Sequence, residues 1–152
     1  MWTKTRSLFL SRILVGVCAG IGAIATFFVP SVADWYSDVT VGNGLISGSI
    51  RIPVMVGLYF CEAVAFAILW TLHKLLGNIN RSEVFIPENT ACLRRISWEC
   101  MFIGGAFVIM GLWRFVFLLP AIFAVMFGLI MRVLKNVFEK AVEIKSENDF
   151  TI

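Results

Sequence analysis

Four apolar stretches take up most of this 152-residue chain: Ile13–Val29, Val54–Leu76, Ile96–Trp113 and Phe115–Met131. The first runs seventeen residues without a charge, between Arg12 and Pro30. As a helix it rises about 25 Å, close to the roughly 30 Å of a bilayer's hydrocarbon core. The expectation is an all-α polytopic membrane protein with four transmembrane helices. Hydrophobic residues make up 59% of the chain and mean hydropathy is +0.88, more than a water-soluble domain needs. Four spans leave no room for a folded soluble domain, so one membrane domain with short loops is predicted. With their flanking turns the spans fall at about 8–30, 54–76, 94–113 and 115–135. Between and beyond them lie an outside loop (31–53), a cytosolic loop (77–93) and a cytosolic tail (136–152).

The basic residues set the orientation. Lys4, Arg6 and Arg12 precede the first span, and Lys74, Arg81, Arg94 and Arg95 surround the middle loop. Arg132, Lys135, Lys140 and Lys145 follow the fourth span, whereas the other two connections hold only Arg51 and Arg114. With both termini inside, 11 of the 13 Lys and Arg residues face the cytosol, as the positive-inside bias requires. The reading is N-in, C-in, in a bacterial cytoplasmic membrane. Ser31-Val32-Ala33 after an apolar run resembles a signal-peptidase site, but the run exceeds the usual signal core of about 7–15 residues. An uncleaved first helix is the better reading. Cys18, Cys61, Cys92 and Cys100 avoid the outside loops and show no metal-ligand spacing, so neither a disulfide framework nor a metal site is expected.

Small residues form stripes on the spans: Gly16, Gly20 and Ala23 on the first, Gly104, Gly105 and Gly111 on the third, Ala124 and Gly128 on the fourth. Such stripes let helices approach closely, within one chain or in a homo-oligomer. In the outside segment, Asp34 and Asp38 are too few for calcium. Gly42-Asn43-Gly44 between short apolar runs suits either a small hairpin or a flexible loop. Gly77-Asn78 suits the end of the second helix, and Pro87 the first position of the third. Pro120 either kinks the fourth span or marks its start. Past Met131, the residues Val133, Leu134, Val137, Phe138, Ala141 and Val142 recur at helical spacing, opposite Lys135, Glu139, Lys140 and Glu143. That helix either lies on the headgroups, packs against the middle loop, or docks a protein partner.

Two stretches carry a resemblance. The run Leu75-Leu76-Gly77-Asn78-Ile79, followed by Val84-Phe85, Glu88-Asn89 and Leu93-Arg94-Arg95-Ile96, resembles the central pattern of a bacterial membrane-protein family. The family is known as domain of unknown function twenty-nine seventy-five (DUF2975). The ending Glu147-Asn148-Asp149-Phe150-Thr151-Ile152 is similar to its C-terminal signature. The resemblance implies four spans and a gene often found beside a small helix-turn-helix transcription regulator. It implies no established catalytic or binding residue. Where the family tends to have Thr or Ser before the loop's helix, this chain has Ile86, a poorer cap.

Glu62 lies deep within a span, and an ionised carboxylate there is costly unless paired or wetted. With Tyr59 on the same face it forms a candidate intramembrane polar site, for a proton or ligand or for structure, within reach of Arg114. His73, the lone histidine, sits at the inner end of the same helix and reads as structural. No hydrolase triad, HExxH pair or phosphate-binding loop occurs, so no enzyme and no cofactor are expected. The candidate partner-binding residues are cytosolic: Asn89, Arg94, Arg95, Val137, Phe138, Asn148, Asp149, Phe150, Thr151 and Ile152. The expected role is regulatory, holding a helix-turn-helix regulator at the membrane without direct nucleic-acid binding. The alternatives are an oligomeric transporter or channel using Glu62, and a sensor or immunity protein for an external peptide.

Overall fold

The computed structural model describes residues 4–149, and the elements in it are helical. They are α1 (Lys4–Val39), α2 (Arg51–Asn80), α3 (Pro87–Gly111), a single 3-10 turn (Phe115–Phe117) and α4 (Leu118–Asp149). By length and composition α1, α2 and α4 can each cross a membrane. The expected fourth crossing, α3, does not reach that measure, because Arg94, Arg95 and Glu99 stand in the half of the helix that leads into its apolar run.

Several element boundaries differ from those read in the sequence. The first helix does not stop near Pro30 but continues through it to Val39, so the connection to α2 is irregular only over 40–50. Proline removes the N–H that would bond the carbonyl four residues back. That carbonyl, on Thr26, instead accepts a long 3.5 Å bond from the Tyr59 hydroxyl of α2. No strand forms over 39–46.

The second helix runs through Gly77 to Asn80, where the Ser82 N–H reaches the Ile79 carbonyl and the Glu83 N–H reaches that of Asn78. This paired closure of the last turn puts Ser82 at φ +65°, the left-handed position usually given to glycine. Pro120 is the third residue of α4, where its missing N–H would have had no intrahelical partner. It therefore starts the helix.

The helices form a row in chain order rather than a closed bundle: α1 packs on α2, α2 on α3 and α3 on α4, while α1 and α4 do not meet. The tightest seam is α3 on α4. A Cβ on Gly104 would stand 2.8 Å from Cγ2 of Val125, and Ser97 Oγ donates to the Gly128 carbonyl at 2.7 Å. On α1–α2, Gly22 faces the Phe66 ring, and Asp34 pairs with Arg51 beside the loop that joins the two helices. Two clusters close the row at its ends: Ala33, Ile50, Val54 and Met110 beside the α1–α2 loop, and Leu75, Cys92 and Leu93 beside the α2–α3 loop. Gly16, Gly20 and Ala23 form no seam within the chain among the described residues, since all three are exposed and a Cβ on either glycine would meet nothing there.

Candidate functional site

At the end of the row that carries the α2–α3 loop, the tight closure after α2 turns the chain straight into α3, and Asn89 holds the turn. Its side-chain oxygen accepts from the Asn78 amide at 2.8 Å, and its own amide donates to the carbonyls of Glu83 and Val84, each at 2.8 Å. Asn89 is 0% exposed. Expected as a partner contact, it is instead occupied inside the protein, by the Asn78 amide of α2 and two loop carbonyls. Ile86 caps α3 with extended backbone and no side-chain bond, as its apolar side chain dictates.

The two patterned stretches meet here. The Phe85 and Phe138 rings lie 5.8 Å apart, and Phe138 also packs on the cluster of Leu75, Cys92 and Leu93. Arg94 Nη2 lies 3.5 Å from Glu139 Oε1, and Lys135 bonds the other Glu139 oxygen. Glu139 is beyond the apolar run ending at Met131, and the Lys135 hydrogen bond holds its carboxyl below the usual carboxylate range. Burial pushes the Cys92 thiol up.

Arg95 turns along its own helix to Glu99, at 3.2 Å. Val137 is 59% exposed and shares an outward face with Val133 and Ile144, while Asn148 is also exposed. Of the C-terminal residues singled out in the sequence, Phe150, Thr151 and Ile152 lie outside the described residues, as does the side chain of Asp149.

Within the apolar layer, Glu62 Oε1 accepts from Thr26 Oγ1 at 2.7 Å. The same hydroxyl lies 3.2 Å from the Gly22 carbonyl. Glu62, Tyr59 and Phe66 all engage α1 through one face of α2. Arg114 does not reach Glu62. It is 5% exposed beneath the α1–α2 loop, donating to the carbonyls of Thr40 (3.1 Å) and Trp113 (3.0 Å). The α1–α2 loop closes over it: Ile46 N–H bonds the Leu112 carbonyl, and Gly44 sits so close to the Leu112–Trp113 backbone that no Cβ fits.

Other polar features escaped the sequence reading. Glu99 is largely buried on α3, with one oxygen on Arg95 and the other lacking a hydrogen bond among the described residues. Its spacing of four from Arg95 was the available signal. The Arg132 guanidinium sits 5.0 Å from the centre of the Trp98 ring, a pairing across two helices that no local pattern announces.

The profile of the family described as protein of unknown function (DUF2975) matches residues 46–152. The chain belongs to this family. The matched part runs from the α1–α2 loop through α2, α3 and α4, so it includes both the junction of the α2–α3 loop with α4 and Glu62. The chain is also 26% identical over 163 residues to a Bacillus subtilis (strain 168) protein named "Uncharacterized membrane protein YoaS". That alignment covers 98% of this chain and 99% of the relative. No solved structure matches. Membership and the apolar helices together make this a membrane protein.

Proposed function

We infer that the chain is a four-pass protein of the bacterial cytoplasmic membrane, with both termini inside, whose inner end docks a cytosolic protein. The observation that carries this reading is the junction of the middle loop with α4, through Phe85–Phe138 and Arg94–Glu139. That junction steadies a helix whose opposite face presents Val133, Val137 and Ile144, the last 56% exposed. The four-pass reading is supported by packing. Lying between α2 and α4, α3 touches α2 near both ends, with Met110 against Val54 outside and Leu93 against Leu75 inside. A helix wedged along two spanning neighbours spans with them. Arg94 and Arg95 then reach the inner headgroups, and Arg95 offsets Glu99.

The partner is a small helix-turn-helix regulator of the kind implied by the family's gene neighbourhood, and the role is non-enzymatic. Glu62 belongs to the α1–α2 contact with Thr26, which argues for scaffold over transport. The test is co-purification of the full chain with the neighbouring regulator. Capture is expected to fall at least about tenfold in Val137→Lys/Ile144→Lys, as loss of a central apolar contact predicts. Undiminished capture by that variant would sink the reading.

A further inference from the structure

On the inner half of the α3–α4 seam lies a cavity of about 290 Å³, lined by Arg94, Ser97, Trp98, Arg132, Lys135 and Asn136. We propose that it binds the phosphate of an anionic glycerophospholipid from the inner leaflet. This site is separate from the docking face and needs no protein partner.

Charge carries the argument first. Arg94, Arg132 and Lys135 converge on the cavity, and Glu139 is the one carboxylate paired with any of them among the described residues. It engages Arg94 and Lys135 together, through its two oxygens. Arg132 forms no ion pair among the described residues and rests on the Trp98 ring instead. The excess is positive, and the guanidinium fork of Arg132 suits two phosphate oxygens.

Position carries it second. Arg132 is the first charge after the uncharged run 115–131, so it stands where the hydrocarbon ends. Trp98, 51% exposed, is the residue type that settles at that depth. Basic recesses between membrane helices on the cytoplasmic side are the usual receptors for anionic headgroups.

A second recess of about 190 Å³, across Arg94, is lined by Pro87, Thr90, Ala91, Glu139 and Val142. It presents the Glu139 carboxylate itself and is the poorer anion site.

The test uses the full chain in zwitterionic detergent, with bound lipid counted by native mass spectrometry. The lipids are equimolar phosphatidylglycerol and phosphatidylcholine, and inorganic phosphate is titrated separately. Wild type is expected to retain phosphatidylglycerol preferentially. Arg132→Gln and Lys135→Gln are each expected to cut that preference about fivefold, the effect of one basic charge near a lipid surface. Arg132→Lys, which keeps the charge, retains most of the preference, and so does Lys145→Gln, remote on the tail. Equal retention of the two lipids by wild type overturns the proposal, as does a preference untouched by both glutamine variants. Binding of inorganic phosphate without any lipid preference assigns the cavity to the free ion and overturns the lipid source. Retained helical circular dichroism in each variant separates lost binding from lost fold.

Discussion

Asn89 shows how much one side chain decides at the turn between α2 and α3. Replacing it by alanine strips partners from the Asn78 amide and from two carbonyls, at roughly 1 kcal/mol for each bond and more for groups left buried. Asn89→Ala is expected to lower stability in detergent by about 2–4 kcal/mol, read as a fall in the thermal midpoint. Cys92 offers a second readout. Buried, with its thiol pushed up, it is expected to react slowly with maleimide at neutral pH in the native protein and readily in Asn89→Ala. Equal rates would disconnect Asn89 from the packing of that cluster. Ser82 works in the opposite direction: at φ +65° a side chain is strained, so Ser82→Gly is expected to stabilise by about 0.5–1 kcal/mol. A lower midpoint in Ser82→Gly would mean that the serine makes a compensating contact.

Among the elements, the α3–α4 hairpin depends on the absence of side chains. Gly104 and Gly128 bring the helices together where Ser97 reaches across, and a leucine at Gly104 would drive into Val125. Gly104→Leu is expected to cost about 1–3 kcal/mol by overpacking, measured as the thermal midpoint. Gly105→Leu, facing open space one residue on, serves as the control and should change little. An equal loss in both would trace the effect to helix propensity or lipid contact, with the seam uninvolved.

Glycine spacing in the sequence correctly marked residues fit for close approach, but it did not separate used stripes from unused ones. Gly128 is buried against α3 while Gly16 and Gly20 are bare. The distinction depends on what stands opposite, which local spacing does not encode. Helix ends were misread for a related reason. Pro30 and Gly77 are breakers by intrinsic preference, yet α1 and α2 continue through them. Packing on a neighbouring helix outweighs about 1 kcal/mol of glycine penalty, and a partner hydroxyl takes up the carbonyl that proline frees.

At the scale of the whole molecule, the row of helices gives two unlike ends. One end is closed by the α1–α2 loop over Arg114, and the other by the junction of the α2–α3 loop and α4. The proposed topology makes a direct prediction. In a background with the four native cysteines replaced, a cysteine at Asn43 should react with an impermeant maleimide on intact cells. One at Ser146 should react only after permeabilisation. The reverse pattern would invert the protein and place the basic residues outside.

Hydropathy by itself determined the all-helical character and the membrane setting, because burying some twenty residues in lipid is a local property of each stretch. The run of matching residues from Leu75 to Ile96, with the C-terminal ending, was also enough to point to the family. The tertiary structure alone decided that Asn89 is internal, that Glu62 meets Thr26 rather than Arg114, and that Arg132 sits over the Trp98 ring, both lining a basic cavity. Each of these joins residues on different turns or helices. Their energies depend on distance and on what else is desolvated nearby, quantities a linear pattern of residue types does not contain.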